Sequence, residues 1–203
     1  MAAVAADSTD PKVKISAADQ KAAAASVLRF SDLGAAWSGG PTKPQNLKIP
    51  VCPANQPNNS DIVITGHAES LLALESQGLQ VDSDVLVLKS ASQAKKLLRR
   101  MLKPTLGQCL VYDLQKSGVL GTSYTIGKLQ QLPAPKVGDN VTIIRIPVMV
   151  KSGGQKVAVD ADYIFVTEDR TQFFVNLISP SNLGSALTNL ESHIAKTLAA
   201  RGR

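Results

Sequence analysis

Arg145, Asp160 and Asp162 are the residues most able to do chemistry together, in the stretch NVTIIRIPVMVKSGGQKVAVDADYIFV. In a strand, residues two apart share a face, so Asp160 and Asp162 point the same way. A carboxylate pair on one face fits acid–base work. It also fits a solvated face carrying an Arg145–Asp162 ion pair, and we take the second reading. Asn176 and Phe174, from the next apolar stretch, are expected on that face too. With Trp37 they complete a candidate ligand-binding set: Arg145, Asp160, Asp162, Asn176, Phe174 and Trp37.

Other chemistry is hard to find. The two histidines are His67, in a strand-like stretch, and His193, on a helix flank. We read them as structural and surface residues. No spacing of His, Cys, Asp or Glu along the chain resembles a metal site. There is no GxSxG, no GxxxxGK and no GxGxxG. Neither cysteine has a histidine motif nearby to make it a nucleophile. The expectation is a non-enzyme with no cofactor and no metal.

The two cysteines, Cys52 and Cys109, admit a disulfide or two free buried thiols. Cys52 lies in the proline-rich VCPANQPNNS, which has little regular structure to hold it, and Cys109 lies on an apolar helix face. A crosslink between them is expected, and it favours an oxidising compartment. Lys95, Lys96, Arg99, Arg100 and Lys103 form the polar face of a helix opposite Ala94, Leu97, Leu98, Met101 and Leu102. Such a face is ordinarily solvated; contact with a membrane surface is the functional alternative. Nucleic acid is not expected, because no aromatics are interleaved with the cations.

These residues need a scaffold, and its centre is 140–182. With Gly153-Gly154 as a two-residue turn, Ser152 pairs with Gln155 and Arg145 with Asp162. Ile144, Ile146, Val148 and Val150 then face Tyr163, Ala161, Val159 and Val157. Glu168-Asp169-Arg170 is read as a three-residue loop, setting Phe165 against Phe173, Tyr163 against Val175 and Ala161 against Leu177. One face becomes a core face. The other carries Arg145, Asp160, Asp162, Gln172 and Asn176, with Met149, Ile164 and Phe174 among them.

Elsewhere, 1–15 reads as a disordered leader. Ser16 and Asp19 open an alanine-rich helix, and 61–75 and 79–89 read as an antiparallel pair with a possible bulge at Gly66. Ser90 caps the basic helix, Pro104 starts another, and 123–131 reads as a strand. The final helix carries a stripe of Leu183, Leu187, Leu190, Ile194 and Leu198, expected to pack on Val148, Val159 and Val175. The order is roughly α-β-β-β-α-α-β-β-β-β-α: an α+β fold with a single curved antiparallel sheet and helices on one face, forming one domain over 16–203.

At 203 residues the chain can bury a sizeable core. Its formal net charge of +6 is concentrated in one helix and near the end, a poor sign of nucleic-acid binding. No apolar run is long enough to span a membrane. A secretory signal is expected to precede the sequence.

The segments SDLGAAWSGGPTKP, IPVCP and LGQCL, with a strand pair between the two cysteines, resemble the extracytoplasmic sensor domain of the actinobacterial kinase PknH and related actinobacterial cell-envelope lipoproteins. The resemblance runs from about Ala23 to the last helix. It implies an antiparallel sheet with packed helices, a cleft for a ligand and no catalysis. That domain has two disulfides, and this chain has cysteines for one. The function expected is a non-enzymatic extracytoplasmic ligand-binding or sensor-like domain, with its cleft on the polar sheet face. The alternative is a cell-envelope adaptor without a small-molecule pocket.

Overall fold

The structure, a computed structural model, describes residues 10–44, 52–116, 123–152 and 155–203. The chain runs through β1 (Lys12–Val13), α1 (Ala17–Ser26), a single turn α2 (Phe30–Leu33), β2 (Ser38–Thr42), β3 (Val63–Leu74) and β4 (Leu79–Leu88). It continues with α3 (Ala91–Met101), α4 (Leu106–Lys116), β5 (Tyr124–Ile126), β6 (Gln130–Leu132), β7 (Asn140–Ser152), β8 (Gln155–Glu168), β9 (Thr171–Pro180) and α5 (Ser185–Arg201). The class is α+β. All the strands join one sheet in the order β1-β3-β4-β9-β8-β7-β5, with β2 also on β3 and β6 also on β7. Every pairing is antiparallel except that of β1 with β3.

Local chemistry sets most boundaries. The Ser16 hydroxyl accepts from the Asp19 N–H and starts α1; the Ser90 hydroxyl does the same for Gln93 in α3. The register of β3 against β4 shifts at Gly66, the expected bulge. A Cβ at Gly66 would strike the Asp19 carbonyl, so glycine lets α1 lie directly on β3. The end of the expected leader is ordered: Lys12 and Lys14 donate to the Ile62 and Ile64 carbonyls at the sheet edge. The expected strand at 123–131 is two short ones, β5 and β6, both pairing with β7.

The β7–β8 register is the expected one: Ser152 opposes Gln155, Arg145 opposes Asp162, and Ile144 opposes Tyr163. The Gly153-Gly154 turn itself lies outside the described residues. The β8–β9 register differs from expectation by one residue. The loop is the two-residue Asp169-Arg170, with Asp169 at φ +48°, so Phe165 opposes Phe174 and Tyr163 opposes Asn176. Asp is among the few residues that tolerate this left-handed conformation. Such a slip exchanges the faces of a whole strand. Phe174, Asn176 and Gln172 therefore lie with Tyr163, on the side away from Arg145, while Phe173, Val175 and Leu177 lie with Asp162.

The sheet is covered on both faces, not one. On the Arg145 side, Val81, Val85, Ile143, Ile164, Phe173 and Leu177 pack with α1 and α5, through Ala23, Val27, Leu187, Ile194 and Leu198. On the other side, Leu86, Leu88, Ile144, Ile146, Val148 and Phe165 pack with α3 and α4, through Leu97, Met101, Leu106, Leu110 and Leu114. The last helix thus covers Val175 as expected, but not Val148 or Val159, which lie on the α3–α4 side.

Candidate functional site

The structure divides the six candidate ligand-binding residues between two faces. Arg145, Asp160 and Asp162 are together. Asp162 is fully buried and Asp160 nearly so. Arg145 donates through Nε and Nη2 to the two Asp162 oxygens, both at 2.8 Å, and through Nη2 to Glu191 Oε1 at 2.6 Å; Asp160 Oδ2 is 3.8 Å from Nε. Glu191 comes from α5, which closes this face, so the cleft expected here is filled by the helix. Trp37 is also core, buried among the residues that pack with α1 and α5.

One arginine faces three carboxyl groups, and burial settles their charge. Desolvation, then a hydrogen bond with Asp162, raise the Glu191 carboxyl far above its ordinary range. Desolvation raises Asp160 as well, against the pull of Arg145. Glu191 therefore keeps its proton near neutrality, and Arg145 and Asp162 form the charged pair. The folded pKa lies above the ordinary 4.5, so the stabilising contribution is complete below that pH. It is lost as pH rises through the folded value. Glu191→Gln should cost less than about 1 kcal/mol near neutrality, because an amide can make the same two hydrogen bonds. It should also flatten the fall in wild-type stability between about pH 5 and about pH 8, checked by urea unfolding across that range.

Phe174 and Asn176 instead line a concavity of about 140 Å³ on the opposite face, under α4. Tyr163, Phe165 and Phe174 supply aromatic surface, with Phe165 and Phe174 edge to face at 5.9 Å. Met101, Leu106 and Leu110 form the helical wall. The Tyr163 hydroxyl donates to the Leu110 carbonyl at 3.4 Å; burial and the nearby Asp113 raise its pKa. Asp82, Asp84 and Asp113 bring three carboxylates to the same space. Asp82 opposes Asn176 and Asp84 opposes Phe174 across the β4–β9 ladder, so the register places them there. Partial burial, then repulsion from Asp84 and Glu69, push Asp82 up to about 6. Burial raises Asp113 too. Asn176 Oδ1 is buried with no hydrogen-bond partner among the described residues. This is an acceptor-rich, aromatic-lined pocket with an excess of negative charge.

The expected Cys52–Cys109 disulfide is present, with Cα atoms 5.0 Å apart. It ties the loop before β3 to α4, and the basic face of α3 holds the same loop. Arg100 donates to both Asp61 oxygens at 2.6 and 3.0 Å and to Asn59; Lys96 reaches Asp61 at 2.9 Å. Asn55, which lines the concavity, donates to the Arg100 carbonyl. Lys95 lies 3.9 Å from Asp139. Lys96 and Arg100, two of the five cations considered for a membrane surface, thus brace this loop, while Arg99 and Lys103 are exposed.

Two groups escaped the sequence reading. Glu191 sits at helical spacing with Leu187, Ile194 and Leu198, so the buried stripe passes through it, whereas Leu190 is only partly buried. An acid inside an apolar stripe was the available signal. The second group is His67, Glu69 and Asp84, whose ligand-type atoms all lie within 4.8 Å of one another. Reading along the chain could not see it, because Asp84 arrives across the β3–β4 ladder, opposite Glu69.

No protein-family model and no curated protein matches this chain. Among solved structures, the fold is similar to the crystal structure of the extracellular domain of PknH from Mycobacterium tuberculosis. The TM-score is 0.47 at 10% sequence identity, over 88% of this chain and 95% of that one. This is the domain that the sequence resemblance pointed to.

Proposed function

We propose that the protein is a non-enzymatic, sensor-like binding domain that works outside the cytoplasm and takes a small organic cation, an amine on an apolar body, in the concavity under α4. The observation that carries this is the lining itself: Asp82, Asp84 and Asp113 beside Tyr163, Phe165 and Phe174, with the Asn176 side-chain oxygen, unpartnered among the described residues. Carboxylates and an amide oxygen accept from an ammonium group, and aromatic faces attract cations. The volume of about 140 Å³ suits a ring-sized body, since an apolar cavity of about 150 Å³ takes benzene. The polar groups offer binding and no activated nucleophile, which favours recognition over turnover. The disulfide supports an oxidising compartment. Among the described residues no helix is long and apolar enough to cross a membrane.

Phenethylamine and 3-phenylpropionate share a ring and a short chain but carry opposite charges. The amine should raise the melting temperature and bind in calorimetry, and the acid should do neither. Asp82→Asn combined with Asp113→Asn should weaken the amine by about tenfold, or about 1.4 kcal/mol. Equal binding of both probes, or none, would remove this reading. The absence of any response would leave the adaptor reading as the better one.

A further inference from the structure

Beyond the amine pocket, we propose that His67, Glu69 and Asp84 form a binding site for a first-row transition dication such as Zn²⁺, at the rim of the concavity. Residues 67 and 69 share one face of β3, and Glu69 stands directly opposite Asp84 on β4. His67 Nε2 lies 3.2 Å from Glu69 Oε1 and 3.1 Å from Asp84 Oδ1. Ligand atoms on a tetrahedral zinc with bonds near 2.1 Å are about 3.4 Å apart, so both histidine–carboxylate distances are already close to the spacing a metal needs, and all three ligand atoms lie within 4.8 Å of one another. The histidine is fixed in place: it is 5% exposed, and the Gln20 side chain bonds both its N–H and its carbonyl. One imidazole and two carboxylates make a three-ligand zinc set with the fourth position open. The imidazole selects transition metals over Mg²⁺ and Ca²⁺, which take oxygen. Asp84, with its side chain 43% exposed, opens the site to solvent, and Asp82 adds negative potential from the same sheet face.

The test uses the untagged, metal-stripped protein. Titration calorimetry should find one Zn²⁺ per chain, Mg²⁺ should not compete, and Co²⁺ should give the visible absorption of a low-symmetry, tetrahedral-type site. Asp84→Asn and Glu69→Gln should each weaken Zn²⁺ by at least about tenfold, the loss usual even for outer partners of a metal ligand. Asp84 is partly exposed, so its variant should stay folded, and circular dichroism checks this. If Glu69→Gln unfolds, Asp84→Asn decides. Zn²⁺ binding that is absent, that survives Asp84→Asn undiminished, or that Mg²⁺ displaces would overturn the site. The amine reading is probed separately through Asp82 and Asp113, so one can fail while the other stands.

Discussion

Arg145→Met should destabilise the protein by about 3–5 kcal/mol, because it strands buried carboxyl groups that the arginine now serves. Asp162 is fully buried and receives two of the arginine's hydrogen bonds; Glu191 receives a third. Methionine matches much of the side-chain length, so lost packing is a minor part of the effect. The cost comes from Asp162, whose fully buried oxygens would lose both hydrogen bonds from the guanidinium. Urea unfolding of both proteins near neutral pH reads the difference directly. Replacing both partners, as in Arg145→Met with Asp162→Leu, should cost much less than Arg145→Met alone. Val175 and Leu177 already share this sheet face and would accept an apolar neighbour. A loss below about 1 kcal/mol for Arg145→Met would show that the network contributes no more than an exposed ion pair.

That buried network also shows what the sequence could and could not say. The β7–β8 register was legible because Gly153-Gly154 admits a two-residue turn and because Arg145, Asp160 and Asp162 break an otherwise apolar pattern. A one-residue slip would mix the polar and apolar faces. The β8–β9 register had no such marker. Tyr163-Ile164-Phe165-Val166 and Phe173-Phe174-Val175 are apolar at consecutive positions because helices cover both faces of the sheet. A strand buried on both sides loses its alternation, and with it the information that sets register. The loop length then had to come from Glu168-Asp169-Arg170 alone, where a two-residue and a three-residue turn are both chemically reasonable.

The error had a functional cost, because it moved Phe174 and Asn176 away from the acidic residues of β4 and onto the arginine face. Asp82 and Asp84 alternate with Val81, Ser83 and Val85, so they read as the solvated side of an ordinary strand. Their meaning comes from α4, which roofs that side and turns an exposed acidic edge into a concavity. The disulfide was legible for a simpler reason: a proline-rich loop without regular structure had one cysteine, and an apolar helix face had the other.

Removing the disulfide, by Cys52→Ala with Cys109→Ala, should cost about 4 kcal/mol on the chain-entropy view of a crosslink that spans 57 residues. Both cysteines are buried, Cys52 at 3% and Cys109 at 7% exposure, so the variant also leaves small cavities and the loss should not fall short of that figure through better packing. The Cys52 loop would keep some attachment through Arg100 and Asp61, and the fold should survive, since both core clusters lie mainly in strands and helices. The functional consequence is local. Cys109 and Asn55 both line the concavity, so loss of the bond frees the loop on that side and lets the pocket lose definition. Amine binding should therefore weaken in the variant even at temperatures where it is fully folded. Non-reducing peptide mapping of the wild type should recover the linked Cys52 and Cys109 peptides, and urea unfolding of the two proteins gives the stability difference. A loss of less than about 1 kcal/mol would mean that the ion pairs of Asp61 already hold the loop. Two freely alkylatable thiols in the native protein would remove the crosslink and, with it, the argument for an oxidising compartment.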